Sequence, residues 1–269
     1  MTRIIIPTDF SANAMHAATY AAQLFGTEDA TTYVLVHAQF DPGEGGALAP
    51  DQIHEASIAA QDGLTLVTKQ FQQRTGARSV EEQLLHGALA PALSEFLEEN
   101  RADLVVMGKR NGTGSALFGS NTTDVIKNSR VPVLAVPEKA PLQPVKHILL
   151  ADDNDPIDLK NLDMLRRIAL QQKADVTVTH IPVSVIEGEE YWNHGLYGTI
   201  LKGIRHKFVE GFDEDVVEGL ERNANRYGSD MIAVIHRHTS LLGRLFHAST
   251  AKALALEADQ PVLVLQQWT

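Results

Sequence analysis

An internal repeat limits the possible folds of this chain more than any other feature of its sequence. The segment ADLVVMGKRNGTGSALFGSNTTDVIKNSRVPVLAVP (102–137) aligns with SDMIAVIHRHTSLLGRLFHASTAKALALEADQPVLVL (229–265). Earlier in each copy, TRIIIPTDF (2–10) aligns with KHILLADDN (146–154). The repeat predicts two copies of one folding unit, with a first domain at 1–140 and a second at 145–269, joined near the proline-containing stretch EKAPLQPVK.

Within each copy, short apolar runs alternate with longer stretches of helical period, which predicts an α/β fold. We expect two tandem domains, each a Rossmann-like five-stranded parallel sheet with helices on both faces. In the first copy the predicted strands lie near 3–7, 32–38, 79–85, 103–107 and 132–136, and the predicted helices run from Ser11 or Asn13 to Phe25, Pro50 to Thr75, Ala90 to Asn100 and Thr122 to Asn128.

The composition excludes several classes of function. A formal net charge of -11 without a basic stripe argues against a nucleic-acid partner. The absence of cysteine excludes disulfides and thiolate catalysis. The N-terminus MTRIIIPTDF lacks the features of a signal peptide, and the apolar runs are too short to span a bilayer. We therefore expect a cytoplasmic protein with no membrane partner.

A glycine-rich stretch, MGKRNGTGSALFGS (107–120), follows the fourth predicted strand of the first copy. Glycine allows backbone N–H groups to approach an anion closely, so such a turn before a helix can hold a phosphate, although glycine also makes ordinary loops. In an open parallel sheet, ligands bind beyond the carboxyl ends of the strands at the topological switch point. The loops after the first and fourth strands are expected to lie there.

The motifs IIIPTDFS, LVHA, LLHG, ADLVVMG and VPVLAVP resemble those of the universal stress protein family, in its tandem, two-domain type. Nucleotide-binding members carry Gly, two residues, Gly, nine residues, Gly and then Ser or Thr after the fourth strand. In this sequence Gly108 and the pair Gly119-Ser120 match the ends of that motif. Asn111 replaces the second glycine and the loop is two residues short, while Gly112 and Gly114 offer alternative turn positions.

The resemblance implies an adenine nucleotide, ATP or AMP, as the ligand of the first copy. Asp9 with Pro7 and Thr8 would hold the adenine or ribose end, the backbone of Ala38 would face the base, and Met107 and Gly108 would line the ribose side. Phosphates would meet N–H and hydroxyl donors at a helix start. The complete candidate site is Pro7, Thr8, Asp9, Ala38, Met107, Gly108, Arg110, Gly112, Gly114, Gly119, Ser120 and Asn121.

Asp9 has two further interpretations. It is an acid near a helix N-terminus, where it would stabilise the helix dipole without any ligand. It would also contribute to a Mg²⁺ site if a triphosphate bound, since Mg²⁺ is held by one or two carboxylates together with phosphate oxygens.

The second copy lacks the phosphate loop, because Ile235, His247 and Ala248 replace Gly108, Gly119 and Ser120. Asp152 and Asp153 are expected in a solvated turn or an N-cap. The stretch 185–203 is expected to form an irregular lid or an interaction surface, and the histidines are interpreted as surface or capping residues in preference to a metal site: His236, His238 and His247.

These features leave three hypotheses for function. The first is a stress-response protein that binds adenine nucleotide in its first domain, with a structural or regulatory second domain. The second is an interaction scaffold without nucleotide, and the third is a weak ATPase. No catalytic or metal-binding residue is identified. Because the family often pairs domains through the last strand, the resemblance implies a homodimer or an internal pseudo-dimer, with a protein partner that the sequence does not identify.

Overall fold

The computed structural model describes residues 1–39, 50–109, 120–153, 155–181, 194–211, 213, 215–238 and 258–268. The chain divides into two compact units, unit 1 at Met1–Glu138 and unit 2 at Lys139–Thr269. No helix in these ranges combines the length and the apolar character that crossing a membrane requires.

Unit 1 contains a five-stranded, entirely parallel sheet in the order β3-β2-β1-β4-β5. The chain first moves from β1 to the β3 edge and then returns to β4, so the topological switch point lies between β1 and β4. Its elements are β1 (Thr2–Pro7), α1 (Ala12–Phe25), β2 (Thr31–Gln39), α2 (Pro50–Thr75), β3 (Ser79–His86), α3 (Leu89–Glu99), β4 (Leu104–Lys109), α4 (Ser120–Asn128) and β5 (Val133–Pro137).

The central strands of unit 1 are buried on both faces. Helices α1 and α2 contact each other, as do α3 and α4, in agreement with the two faces that right-handed crossovers assign to these pairs. Strand residues that are at most 1% exposed form the core between them: Ile4 to Ile6, Tyr33 to Val36, Leu104 to Val106 and Val133 to Val136. Continuous apolar strands are typical of a parallel sheet covered by helices.

Local signals set the limits of α1. The Ser11 hydroxyl accepts a hydrogen bond from the Ala14 N–H at 3.2 Å, which satisfies one of the free donors of the first turn. At the other end, Gly26 adopts a φ of 81°, a left-handed conformation that glycine reaches without strain. Helix α1 therefore begins at Ala12, between the two predicted starts, and ends at the predicted Phe25.

Unit 2 repeats the arrangement, with a parallel sheet in the order β10-β9-β6-β7-β8. A short 3-10 helix (Leu159–Leu162) precedes its first α-helix. The other elements are β6 (His147–Asp152), α5 (Asp163–Gln172), β7 (Asp175–His180), α6 (His194–Ile200), β8 (His206–Glu210), α7 (Val216–Arg226), β9 (Met231–His238) and β10 (Val262–Trp268).

The prediction of an irregular segment at 185–203 is wrong for its described part. Residues His194–Ile200 form α6, and the Tyr197 side chain within it is fully buried. Tyr197 therefore belongs to the core of unit 2. Residues 182–193 lie outside the described ranges.

Candidate functional site

Unit 1 contains a cavity of about 320 Å³ at the carboxyl ends of β1, β2 and β4, next to the topological switch point. This volume is at the lower end of the range for small-molecule sites. The lining residues come from the strand ends and from the first turns of α1, α3 and α4: Pro7, Thr8, Asp9, Ser11, Asn13, Ala14, His37, Ala38, Leu89, Met107, Gly108, Asn121 and Thr122.

The turn between β1 and α1 is held by its own side chains. The Thr8 hydroxyl accepts a hydrogen bond from the Phe10 N–H, and the Asp9 carboxylate accepts one from the Ser11 N–H, both at 3.0 Å. Phe10 itself has a φ of 65°, a conformation that is uncommon for a residue with a large side chain. The turn therefore fixes the backbone of Asp9 while leaving its side chain exposed at the cavity.

His37, at the end of β2, supports this turn. Its Nδ1 atom lies 2.8 Å from the Thr8 carbonyl oxygen, and its ring stacks on the Phe10 ring with a centroid distance of 4.2 Å. The far side of the Phe10 ring approaches Gly63 of α2, where an added Cβ would lie 3.3 Å from the ring. In unit 2, His180 makes the same bond to the Asp152 carbonyl oxygen at 2.8 Å. Both histidines therefore have a structural role at the ends of equivalent strands.

The packing of α1 against β4 requires a glycine at position 108, which lines the cavity. A Cβ added to Gly108 would lie 2.8 Å from the Asn13 carbonyl oxygen and 2.9 Å from its side-chain nitrogen. Any other residue at this position would push α1 away from the strand. The glycine therefore has a structural role that is independent of a ligand.

Helices α1 and α4 both begin at the cavity. Helix α1 contributes Ser11, Asn13 and Ala14, and α4 contributes Asn121 and Thr122. The first-turn N–H groups of a helix lack intrahelical acceptors and carry the positive end of the helix dipole. Among the described lining residues Asp9 is the only carboxylate, so most of the cavity wall offers neutral or positive partial charge. Such a wall suits an anion.

The structure brings seven residues of the predicted site together at this cavity: Pro7, Thr8, Asp9, Ala38, Met107, Gly108 and Asn121. Arg110, Gly112, Gly114 and Gly119 lie outside the described residues, and Ser120 begins α4 with a side chain that is also outside them. Sequence reasoning did not assign six lining residues to the site: Ser11, Asn13, Ala14, His37, Leu89 and Thr122. The first-turn positions of α1 follow from its predicted start, whereas Leu89 carries no signal in the sequence.

In unit 2 the corresponding position is filled by an internal ion pair. Asp153 aligns with Asp9, and its carboxylate accepts two hydrogen bonds from Arg237 at the end of β9, from Nε at 2.7 Å and from Nη2 at 2.6 Å. The remaining guanidinium donors reach the carbonyl oxygens of Pro156 at 2.7 Å and Asp155 at 3.0 Å. Burial is the largest single effect and opposes the charge of Arg237, but the hydrogen bonds to Asp153 together with the nearby charges of Asp153 and Asp155 outweigh it and raise the pKa of Arg237 above its usual value.

The prediction of a solvated turn or an N-cap is wrong for Asp152, which is the buried last residue of β6. Asp153 does lie in a turn, where its Oδ1 atom accepts a hydrogen bond from the Asp155 N–H at 3.1 Å, but it is paired with Arg237 and not simply solvated. Asp152 is only 5% exposed, and its Oδ1 atom accepts a hydrogen bond from the buried Tyr197 hydroxyl at 2.7 Å. Burial and the nearby Asp152 charge raise the pKa of Tyr197, so its hydroxyl keeps its proton and remains a donor. Each aspartate is therefore paired within the protein, Asp152 with a buried hydroxyl and the partly buried Asp153 with Arg237.

One of the three histidines expected at the surface or in capping positions, His236, differs from that expectation. His236 is 4% exposed within β9, which contradicts its interpretation as a surface residue. The His238 Nε2–H donates a hydrogen bond to the Gln266 Oε1 atom at 2.7 Å, and the His238 ring stacks on Trp268 with a centroid distance of 3.6 Å. Burial lowers the pKa of His238. In the part of the chain that the structure describes, no group of three or more His, Cys, Asp or Glu residues is arranged to hold a metal; His247 is not in that part.

Sequence comparisons relate this chain to known proteins. The model of the universal stress protein family matches residues 1–137. Universal stress protein MJ0531 of Methanocaldococcus jannaschii is 30% identical over 138 residues, which cover 50% of this chain and 81% of that protein. Universal stress protein Rv1636 of Mycobacterium tuberculosis is 28% identical over 140 residues, which cover 49% and 94%.

Solved structures resemble the whole chain. A universal stress protein from Archaeoglobus fulgidus superposes with a TM-score of 0.79 and 16% identity, covering 98% of both chains. A structure described as a putative universal stress protein from Pseudomonas aeruginosa gives a TM-score of 0.61 over 99% of this chain. The repeat, the two α/β units and the matched family model lead to one conclusion: the chain belongs to the universal stress protein family, as a tandem member with two domains.

Proposed function

We propose that unit 1 binds an adenine nucleotide, ATP or AMP, in the cavity at the carboxyl ends of β1 and β4, and that unit 2 has a structural or regulatory role. The observation that carries this proposal is the convergence of two helix N-termini, α1 and α4, on one cavity at the topological switch point. A phosphate group needs several N–H and hydroxyl donors, and this position supplies them without a cationic side chain among the described lining residues.

The phosphate end of the ligand is assigned to the N-terminus of α4. Asn121 is exposed and Thr122 is 4% exposed at the cavity wall. Gly119 and Ser120 immediately precede them in the sequence and belong to the same proposed subsite. Donors at a helix start stabilise an anion by direct hydrogen bonds and by the helix dipole.

The base end is assigned to the turn after β1 and the end of β2. Ala38 and Leu89 provide apolar surface beside the His37 ring, and the exposed Asp9 carboxylate provides an acceptor. Because Asp9 is the single carboxylate of the described wall, it would also be the protein ligand of a Mg²⁺ ion bound with a triphosphate.

Unit 2 is proposed not to bind nucleotide. The Arg237 side chain lies on the aspartate that corresponds to Asp9, and its guanidinium is satisfied by one carboxylate and two carbonyl oxygens. A nucleotide would have to displace this buried ion pair. Ile235 also replaces the glycine that lines the cavity of unit 1.

Thermal unfolding of the purified chain with ATP, AMP and GTP tests the proposal. A ligand that binds only the folded state stabilises it by about 2.7 kcal/mol at a hundred times its Kd. We expect ATP or AMP to raise the melting temperature of unit 1. The absence of any shift at millimolar nucleotide would refute the proposal.

A matched pair of variants locates the site. Asn121→Glu places a negative charge in the first turn of α4, where it favours the helix but repels phosphate. Asn128→Glu places the same charge at the exposed far end of that helix. We expect the first variant to lose the nucleotide-dependent shift and the second to keep it. Equal shifts in both variants would place the ligand elsewhere.

A further inference from the structure

Unit 2 contains a cavity of about 260 Å³ at the amino ends of β6, β7 and β8. Four of its described lining residues carry basic side chains and one carries a carboxylate: His147, Arg205, His206 and Lys207 with Asp175. The whole chain has a formal net charge of -11, so this excess of basic groups is a local feature. A cleft lined by one sign of charge concentrates ions of the opposite sign, and this cavity therefore suits an anion.

Two of these basic residues stand where the other copy of the repeat has an ion pair. The strand registers align His147 with Arg3 and Lys207 with Glu81. In unit 1 the Arg3 guanidinium donates to both Glu81 carboxylate oxygens, at 2.9 and 2.8 Å. In unit 2 a lysine replaces the acid, so the same strand positions carry two basic groups that cannot pair with each other.

Asp175 neutralises only part of this positive charge. Its carboxylate accepts hydrogen bonds from Arg205, from Nε at 2.9 Å and from Nη2 at 2.5 Å, and the His147 Nδ1 atom lies 3.9 Å from Oδ2. The Arg205 hydrogen bonds are the largest effect on this carboxyl. Together with the charges of Arg205, His147 and Lys207 they hold the pKa of Asp175 below its usual value, against the opposing effect of burial. The one carboxylate of the wall is therefore already committed to Arg205.

Lys207 brings a charge that the cavity does not neutralise. Among the described residues, no carboxylate oxygen lies within 4.0 Å of its ammonium group. The Nζ atom lies over the Tyr227 ring, 4.3 Å from the ring centroid, and the Arg226 guanidinium approaches the same ring at 5.6 Å. A cation–π contact positions an ammonium group without cancelling its charge. Lys207 is therefore available to an external anion.

Two other titratable groups near the cavity are bound to the backbone. The Asp230 carboxylate accepts hydrogen bonds from the N–H groups of Lys146 and His147, at 2.7 and 3.0 Å. The His206 Nδ1 atom lies 2.9 Å from the Ile204 carbonyl oxygen. Both contacts fix the starts of β6 and β8, so these two side chains are assigned to the structure and not to a ligand.

We propose that this cavity binds a phosphate group, as a free anion or as the ester of a small metabolite, between Lys207, Arg205 and His147. Lys207 supplies a positive charge. The guanidinium N–H groups that Asp175 does not use donate to phosphate oxygens, as does the His147 ring. A volume of about 260 Å³ is below the range for drug-sized ligands and suits a small ion.

This site is independent of the proposed nucleotide site. It lies at the amino ends of the strands of unit 2, whereas the nucleotide cavity lies at the carboxyl ends of the strands of unit 1. The inference therefore does not depend on whether unit 1 binds ATP or AMP.

Isothermal titration calorimetry of the full chain with inorganic phosphate, pyrophosphate and glycerol 3-phosphate tests the inference. We expect wild-type protein to bind at least one of these anions. Lys207→Glu, which introduces the acid found at this position in unit 1, should weaken that binding by roughly 10-fold or more. Lys207→Gln removes the charge alone and should cause a smaller loss. Lys202→Glu makes the same charge change at an exposed position outside the cavity and should bind as the wild type does.

The comparison of ligands distinguishes the two sources of a phosphate group. Tighter binding of glycerol 3-phosphate than of inorganic phosphate supports an ester as the ligand, and the reverse order supports a free anion. The absence of binding by all three compounds at millimolar concentration would overturn the inference. Equal losses in Lys207→Glu and Lys202→Glu would do the same, because they would show an effect of net charge alone. Binding that is lost in Asn121→Glu but intact in Lys207→Glu would place the anion in the cavity of unit 1 and refute this site.

Discussion

The Asp153 carboxylate of unit 2 is held by two hydrogen bonds from the Arg237 guanidinium, at 2.6 and 2.7 Å, with the two side chains 15% and 6% exposed. Asp9, at the matching position of unit 1, is exposed at an open cavity. The two copies of the repeat thus use the same aspartate position in different ways. One aspartate is available to a ligand, and the other is paired within the protein.

Replacing Arg237 should destabilise unit 2. Arg237→Met removes one partner of a buried ion pair and leaves the carboxylate without its counterion, a change that costs about 3 kcal/mol or more. Both tryptophans of the chain, Trp192 and Trp268, belong to unit 2, so urea unfolding followed by tryptophan fluorescence reports on this unit. Arg205→Met removes the partner of Asp175 at an exposed site and should have a much smaller effect. Equal losses would show that the Arg237 pair is no stronger than a surface pair.

Removing the Tyr197 hydroxyl should also weaken unit 2. Tyr197→Phe deletes a buried donor to Asp152, for which we expect a loss of about 1–3 kcal/mol by the same fluorescence measurement. Tyr227→Phe is the control, because Tyr227 is partly exposed and packs beneath the Lys207 ammonium group through its ring, which phenylalanine retains. An unchanged stability of Tyr197→Phe would contradict the buried hydrogen bond.

Glycine to alanine substitutions at two positions should change the stability of their units in opposite directions. Gly108→Ala forces a Cβ to within 2.8 Å of Asn13 and should destabilise unit 1 by about 1–3 kcal/mol, since overpacking displaces α1. Gly198→Ala adds a methyl group to α6 with nothing within 4 Å and should stabilise unit 2 by about 0.5–1 kcal/mol. Calorimetric unfolding of both variants measures the two changes. A neutral Gly108→Ala would mean that α1 tolerates displacement from β4.

The ion pair between Arg3 and Glu81 should stabilise unit 1 by a small amount that depends on pH. The Arg3 guanidinium donates to both carboxylate oxygens at 2.9 and 2.8 Å, and these bonds lower the pKa of Glu81 below its model-compound value of 4.5. A lowered folded pKa means that the stabilisation is present above pH 4.5 and disappears as the pH falls through the folded value.

Glu81→Gln measures this term directly. Because the Glu81 side chain is 51% exposed, solvent screens the pair and the loss at pH 7 should be below about 1 kcal/mol. The difference between wild type and variant should shrink as the pH is lowered below 4.5. Hydrogen exchange of the amides of β1 and β3, measured against pH, checks the prediction. A stability difference between wild type and variant that grows as the pH falls would contradict the predicted direction.

The architecture of unit 1 could be predicted from sequence because each of its elements has a strong local signal. Helix α2 has the predicted limits, Pro50 and Thr75, and the predicted strands differ from the observed ones by one or two residues at their ends. Strands β1, β2, β4 and β5 carry continuous buried apolar runs, which are typical of parallel strands covered on both faces. Helix α6 was missed because a heptapeptide with two glycines has little helical signal, whereas the burial of its Tyr197 side chain depends on the fold of unit 2.

Long-range polar pairing was the part of the site that sequence reasoning did not find. Arg237 and Asp153 are 84 positions apart, and nothing in the local pattern connects them. Asn13 was likewise predicted only as a possible helix start, because its packing against Gly108 at the cavity wall depends on the folded structure. By contrast, Asp9, Ala38 and Gly108 were assigned through the family resemblance, and they meet at one cavity because parallel strands bring their carboxyl ends to one edge of the sheet.

Amide hydrogen exchange of the full chain, with and without saturating ATP, tests the central claim most directly because it locates the ligand within one of the two repeats. We predict slower exchange in unit 1 at the turn after β1, at the end of β2 and in the first turn of α4, with no change at 151–156 or 235–238 of unit 2. Unchanged exchange throughout unit 1, or protection confined to unit 2, would contradict the account.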